Sequence, residues 1–138
     1  YAINGGAALA LACDLLVVGQ ESFLQVGEAQ IGMGAPYNLA WLGLRQTEST
    51  IAKIALTGKR IDGEEMEKLG LATEVVPDER VLSEARKLAQ DLAGYPENGL
   101  FRIKAVMRGS KMLDADEWFD RFTKTDPIKE PTKPRSMG

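Results

Sequence analysis

The fold is decided by the first eighteen residues, Tyr1–Val18, which read YAINGGAALALACDLLVV. The glycine pair Gly5-Gly6 leads directly into an alanine- and leucine-rich run. This run predicts a short apolar helix over Gly6–Ala12, followed by a buried strand over Leu15–Val18. The first N–H groups of a helix lack intrahelical acceptors and bear partial positive charge. A turn of bare glycines at that place can hold an oxyanion, and the plainer alternative is a glycine-softened start to a buried helix.

Helical and strand patterns alternate along the chain, which favours a mixed α/β fold over an all-helical one. A second short strand is predicted over Ser22–Gln25, and the glycine-rich passage Val26–Pro36 is interpreted as a loop without a regular element. Two helices are predicted next, one over Pro36–Leu44 and one from a cap at Thr47 or Ser49 to Gly58. A short helix from a cap at Asp62 to Gly70 is followed by a strand over Thr73–Val76. The C-terminal part is predicted to contain helices over Asp78–Ala93 and from Leu100 onward, and a last amphipathic turn at Trp118–Phe122 after Asp114 or Asp116.

Composition excludes several classes of function. The chain has 138 residues with 44% apolar side chains and a net charge of −3, so a globular domain is expected and a nucleic-acid partner is not. It contains no histidine, which excludes Ser-His-Asp and Cys-His catalysis and histidine-based metal sites. No metal is therefore predicted, and any acid–base catalysis is expected to use carboxylate side chains.

One cysteine, Cys13, rules out an internal disulfide, and it is expected to pack inside the apolar run rather than to react. An intracellular location follows as the expectation, in the cytoplasm or, in a eukaryote, in the mitochondrion or peroxisome. No apolar run reaches the length of a membrane span, so no membrane partner is expected.

Several motifs in order resemble the crotonase (enoyl-CoA hydratase/isomerase) superfamily. They are Gly5-Gly6 with the helix ending Ala12-Cys13-Asp14, Glu28 in a loop after Phe23, Leu56-Thr57-Gly58-Lys59-Arg60-Ile61, and Leu69-Gly70-Leu71-Ala72 with Val75-Val76-Pro77. The resemblance covers roughly nine-tenths of the chain and begins midway through the family pattern, so we expect these residues to be the second part of something longer.

The resemblance implies an α/β fold consisting of the last turns of a crotonase-like ββα spiral followed by C-terminal helices. We expect spiral core with the Glu28 loop in residues 1–77, a helical region in 78–126, and a flexible proline-rich tail in 127–138. In the family the helical region drives assembly, so a homo-oligomer, a trimer or a dimer of trimers, is the expected state.

The resemblance also assigns a chemistry. An acyl-CoA thioester carbonyl lies between two backbone N–H donors, of which the second maps to Gly5 and the first has no counterpart here. Such donors stabilise the enolate that forms when a C2 proton is removed. Coenzyme A is part of the substrate, and no separate cofactor is expected.

Hydratases of this family use two glutamates, and here Ala8 occupies the first position while Glu28 matches the second. A single carboxylate is ill suited to adding water, but it can move a proton from C2 to C4. The run Gly27-Glu28-Ala29-Gln30-Ile31-Gly32 with Ala35-Pro36-Tyr37, and the segment 122–128, also resemble the Δ3,Δ2-enoyl-CoA isomerases. The final helix of that group is replaced by the proline-rich tail.

An acyl-CoA double-bond isomerase with Glu28 as acid and base and Gly5 as oxyanion donor is therefore the favoured function. Another crotonase-type reaction, such as hydration or thioester hydrolysis, and a non-catalytic fragment or subunit remain as alternatives. The predicted substrate-binding residues are Gly6, Ile31, Met33 and Trp41; the apolar ones are also plausible as ordinary core. Lys104 and Lys111 suit CoA phosphates, but a charged helix face explains them as well.

Overall fold

The computed structural model describes residues 1–111 and 114–125 of the chain. Five short strands and seven helices alternate over these residues, with a 3₁₀ turn before the second helix and another before the fifth. The strands are β1 (Ala2–Ile3), β2 (Val17–Gly19), β3 (Phe23–Gln25), β4 (Ile61–Asp62) and β5 (Glu74–Val76). The helices are α1 (Gly5–Ala12), α2 (Pro36–Gly43), α3 (Glu48–Thr57), α4 (Gly63–Lys68), α5 (Val81–Ala93), α6 (Gly99–Gly109) and α7 (Ala115–Thr123).

Two small sheets organise the α/β part. In the first, β3 lies between β1 and β4, parallel to β1 and antiparallel to β4. In the second, β2 pairs in parallel with β5. Because β1 runs directly into α1 and β3 into the loop with Glu28, the parallel β1–β3 pair brings the glycine turn and that loop to the same edge.

An apolar cluster lies between the sheets and the first four helices. α1 contributes Ala7 and Leu11, which are one helical turn apart on the same face and fully buried. The cluster's other buried members are Val18, Leu24, Val26, Ala35, Leu42, Ile54, Ile61, Met66, Leu71 and Ala72. The buried faces of these elements hold β1, α1 and the Glu28 loop in register.

Local signals place most helix ends correctly. Thr47 and Asp62 cap α3 and α4, and Gly58 ends α3 in the left-handed conformation. Asp114 caps α7 by accepting a hydrogen bond from the Glu117 N–H at 2.8 Å. The predicted 127–138 tail lies outside the described residues, and the division at residues 77 and 126 stays a prediction.

Three expectations about this part of the chain were wrong in detail. Cys13 is exposed because it ends α1 at its C-cap, beyond the buried face. Leu15 is also exposed, and β2 begins only at Val17, whose partner Glu74 is the first residue of β5. The passage predicted as an irregular loop contains a 3₁₀ turn over Glu28–Ile31, closed by Gly32 at a φ of 72°.

Candidate active site

The glycine turn at the start of α1 is open. Asn4 precedes the helix with φ 49° and ψ −107°, a conformation that a residue with a side chain adopts only at a cost. A Cβ built on Gly5 or Gly6 meets no atom within 4 Å, and both residues are exposed. Because the helix's first hydrogen bond runs from the Ala8 N–H to the Asn4 carbonyl, the N–H groups before it lack intrahelical acceptors.

The Asn4 side chain ties this turn to the loop with Glu28. Its Oδ1 accepts a hydrogen bond from the Gly27 N–H at 2.9 Å. The Asn4 N–H in turn donates to the Gln25 carbonyl at 2.9 Å, continuing the β1–β3 ladder. Space is limited here, since a Cβ on Gly27 would lie 3.2 Å from that same Oδ1. The loop therefore leaves β3 in one fixed direction, toward the start of α1.

The other side of the loop is fastened to the end of α3. The amides of Gln25 and Gln30 both donate to the Gly58 carbonyl, at 2.8 and 3.0 Å. Gly58 has a φ of 58°, and a Cβ there would meet the Gln30 amide nitrogen at 2.8 Å. Only glycine satisfies both the backbone conformation and the close approach. The 3₁₀ turn that contains Glu28 is thus held at both ends.

Asn38 of α2 connects the two predicted catalytic elements. Its amide nitrogen donates to Glu28 Oε1 at 2.8 Å and to the Asn4 carbonyl at 3.1 Å, and the residue is only 2% exposed. Two donors of one nitrogen therefore hold the carboxylate beside the first turn of α1. Sequence reasoning missed Asn38; the signal was a polar residue among the apolar positions of α2, a place where a buried amide needs partners.

Two acceptor atoms in this network are buried and unpartnered in the described structure. They are the second oxygen of Glu28, Oε2, and the side-chain oxygen of Asn38. Burying a polar atom without a hydrogen bond costs roughly 1–3 kcal/mol, so such atoms are uncommon in folded proteins. The Glu28 carboxylate is thus held through one oxygen, while its second oxygen keeps an unused capacity to accept a hydrogen bond or a proton.

The predicted substrate-binding side chains have different surroundings. Met33 lines a predominantly apolar groove of about 290 Å³ between the Glu28 loop, α2 and α3, which starts beside Ala29. Ile31 lies outside that groove and is 60% exposed. Trp41 packs edge-on against Phe119 of α7, with ring centroids 5.0 Å apart. Trp41 thus contributes to the contact between α2 and α7.

The lysines considered for phosphate binding have partners within the chain. Lys104 forms an ion pair with Asp14 at 2.7 Å, and Arg108 binds the other oxygen of the same carboxylate at 2.7 Å. Lys111 donates to the Leu44 carbonyl at 2.9 Å. The hydrogen bond from Lys104, followed by that from Arg108, keeps the pKa of Asp14 below its ordinary value despite partial burial. Asp14 therefore anchors α6 to the end of α1.

Among the residues that the structure describes, no three Cys, Asp or Glu side chains lie together in a way that could hold a metal ion. Within the same residues, no helix combines the length and apolar character that a bilayer crossing requires.

Comparison with known proteins identifies the family. The model of the enoyl-CoA hydratase/isomerase family matches residues 1–119. The chain belongs to this family. A putative enoyl-CoA hydratase of Thermus thermophilus is 37% identical over 118 residues, which are 86% of this chain and 47% of that protein. The chain spans about half the length of the curated relatives it matches.

Solved structures of the family share the fold. An enoyl-CoA hydratase of Mycobacterium ulcerans superposes with a TM-score of 0.79 at 29% identity, covering 90% of this chain and 55% of that one. An enoyl-CoA isomerase of Mycobacterium tuberculosis does so with a TM-score of 0.79 at 27% identity, covering 90% and 55%. The predicted crotonase-like α/β fold is therefore confirmed, and both named activities occur among its structural neighbours.

Proposed function

We propose that the protein is an acyl-CoA double-bond isomerase that converts a 3-enoyl-CoA into a 2-enoyl-CoA. One observation supports this above the others: Asn38 holds one oxygen of Glu28 beside the first turn of α1, while the other oxygen is buried and unpartnered. Hydratases of the family have another glutamate at the position that Ala8 occupies here. Glu28 is thus an acid–base group that lies beside an open helix start.

The reaction follows from these groups. The thioester oxygen accepts hydrogen bonds at the glycine turn, with the Gly5 N–H as the assigned donor. Glu28 removes a proton from C2, and the electron pair of that C–H bond forms the C1–C2 double bond of an enolate. Collapse of the enolate forms the C2–C3 double bond as the C3–C4 pair takes a proton from Glu28 at C4. Donors preorganised in a site closed to water stabilise such an enolate by several kcal/mol.

The groove beside Ala29 is a candidate for the acyl chain. Its wall is predominantly apolar and includes Met33, Leu39 and Ile51, which suits a hydrocarbon chain. Gly6, Ile31 and Trp41 remain predicted substrate-binding residues. A homo-oligomer, an intracellular location and a reaction without a cofactor beyond the substrate's own coenzyme A are parts of the same proposal.

Hydration is the second candidate, because the Thermus relative is named as a putative enoyl-CoA hydratase. It requires one group to activate water while another supplies a proton. Because Ala8 stands at the position of the other glutamate, Glu28 would have to perform both roles. Incubation of the full-length protein with a 3-enoyl-CoA and, separately, a 2-enoyl-CoA, with chromatographic identification of the products, distinguishes the two reactions.

Glu28→Gln in the full-length protein tests the acid–base assignment. The substitution preserves shape but removes the proton acceptor, so turnover of the 3-enoyl-CoA is expected to fall by at least about 100-fold. Glu67→Gln, which neutralises an exposed glutamate of α4, serves as the matched control and retains activity. Unchanged turnover in Glu28→Gln would overturn the proposed function.

A further inference from the structure

Asn38 is the buried polar residue of α2, and both of its amide hydrogens are in use. They are donated to the Glu28 carboxylate and to the Asn4 carbonyl, at 2.8 and 3.1 Å. Both partners are acceptors, so the amide must present its nitrogen to them and its oxygen elsewhere. The orientation of the side chain is thereby determined by its surroundings.

This arrangement makes the two oxygens of Glu28 unequal. Oε1 is bound to Asn38, whereas Oε2 is buried without a partner. A proton on Oε2 leaves the hydrogen bond from Asn38 to Oε1 intact. A proton on Oε1 turns that oxygen into an O–H group that faces the N–H donor of Asn38, which weakens the hydrogen bond. The hydrogen bond from Asn38 therefore disfavours protonation of Oε1.

Building on the proposed function, we infer that Asn38 is the positioning residue for Glu28, which it holds beside the start of α1 for the transfer of the proton between C2 and C4. The same amide holds the Asn4 carbonyl, which accepts the first hydrogen bond of α1. Base and oxyanion turn are thus held in register by one side chain. A carboxylate that is held in one place returns to C4 the proton that it removes from C2.

Asn38→Asp provides the main test in the full-length protein. Aspartate has nearly the same shape as asparagine but offers an acceptor, or a repelling charge, to the oxygens of Asn4 and Glu28. Misplacing a catalytic group by about 1 Å can cost about 100-fold in rate, so a loss of that order in kcat is expected with little change in KM. The matched control is Gln46→Glu, because the Gln46 amide also donates to a backbone carbonyl, that of Leu69 at 2.8 Å. It is expected to retain kcat.

A label-transfer measurement separates positioning from a merely structural role. A 3-enoyl-CoA with deuterium at C2 is converted in ordinary water, and mass spectrometry determines how much label appears at C4. The native protein is expected to transfer label, whereas Asn38→Ala, which frees Oε1 and admits water, transfers several-fold less. Equal transfer in the two proteins, or a kcat loss in Asn38→Asp no greater than in Gln46→Glu, overturns the inference.

Folding and the proposed function are controlled separately. If Asn38→Asp and Asn38→Ala do not fold, as judged by circular dichroism, Asn38→Ser retains one donor in a small side chain. Failure of this variant as well assigns Asn38 a structural role and overturns the inference. If the native protein does not isomerise the substrate, the proposed function fails. The same variants are then compared for deuterium exchange at C2 of a saturated acyl-CoA, and the inference survives only if they slow that exchange.

Discussion

Gly58 is the position where one methyl group should disturb the Glu28 loop most selectively. In Gly58→Ala the new Cβ occupies a residue with φ 58° and lies 2.8 Å from Nε2, 3.0 Å from Cδ and 3.1 Å from Cγ of Gln30. Three atoms of that side chain, including one near its base, must therefore move. Gln30 then loses its 3.0 Å hydrogen bond to the Gly58 carbonyl.

The expected cost has two parts. Placing alanine in the left-handed region costs roughly 1–2 kcal/mol. A lost hydrogen bond adds about 1 kcal/mol, so the free energy of unfolding should fall by about 2–3 kcal/mol. Gly70→Ala is the matched control, because Gly70 has a φ of 70° but a Cβ there meets nothing within 4 Å. Gly70→Ala should therefore show only the cost of placing alanine in the left-handed region.

Urea denaturation of the full-length native protein, Gly58→Ala and Gly70→Ala, followed by tryptophan fluorescence, measures the free energy of unfolding of each. Gln30→Ala combined with Gly58→Ala completes a double-mutant cycle, in which the extra cost of the methyl group should disappear. Equal destabilisation by Gly58→Ala and Gly70→Ala would refute the reasoning, because it would show that the contact with Gln30 contributes nothing.

Three further outcomes are expected. The pKa of Asp14 is lower in the folded protein than its ordinary value of 3.8, so the ionised carboxylate stabilises the fold at pH values above 3.8. This contribution is lost as the pH falls through the lower pKa of the folded state. In Asp14→Asn, the free energy of unfolding should therefore depend less on pH in that acid range. Gly43→Ala should loosen α7, since the Cβ lies 3.2 Å from Trp118, and faster amide hydrogen exchange in α7 would show it. Asp62→Ala should lower the free energy of unfolding by about 1 kcal/mol, because the Glu65 N–H loses its capping acceptor. Urea denaturation measures this change, and an unchanged midpoint would contradict the prediction.

Sequence alone predicted the elements whose signals are local. The caps at Thr47 and Asp62 and the stop at Gly58 depend on side chains within a few residues of the helix end, so they could be recognised without a fold. Boundaries that depend on a distant partner were less certain. β2 starts where β5 provides a partner, a contact between residues 17 and 74.

The ion pairs and the exposure of Cys13 were also beyond reach of sequence patterns. The Asp14 carboxylate binds Lys104 and Arg108 of α6, which lie about 90 residues further along the chain. A charged residue on a helix face does not reveal which distant carboxylate it meets. Cys13 follows a run of apolar residues, yet only its place after the buried face of α1 leaves it exposed.

What the sequence determined by itself was the family, the glycine turn and Glu28 as the matching carboxylate, because those depend on residue types in order along the chain. Only the tertiary structure decided that Asn38 joins them, that Oε2 of Glu28 is buried without a partner, and that Trp41 faces Phe119. The physical reason is that one helix, α2, must pack against α1 and α7 before its side chains acquire these neighbours. Hydrogen bonding and burial then follow from the packing.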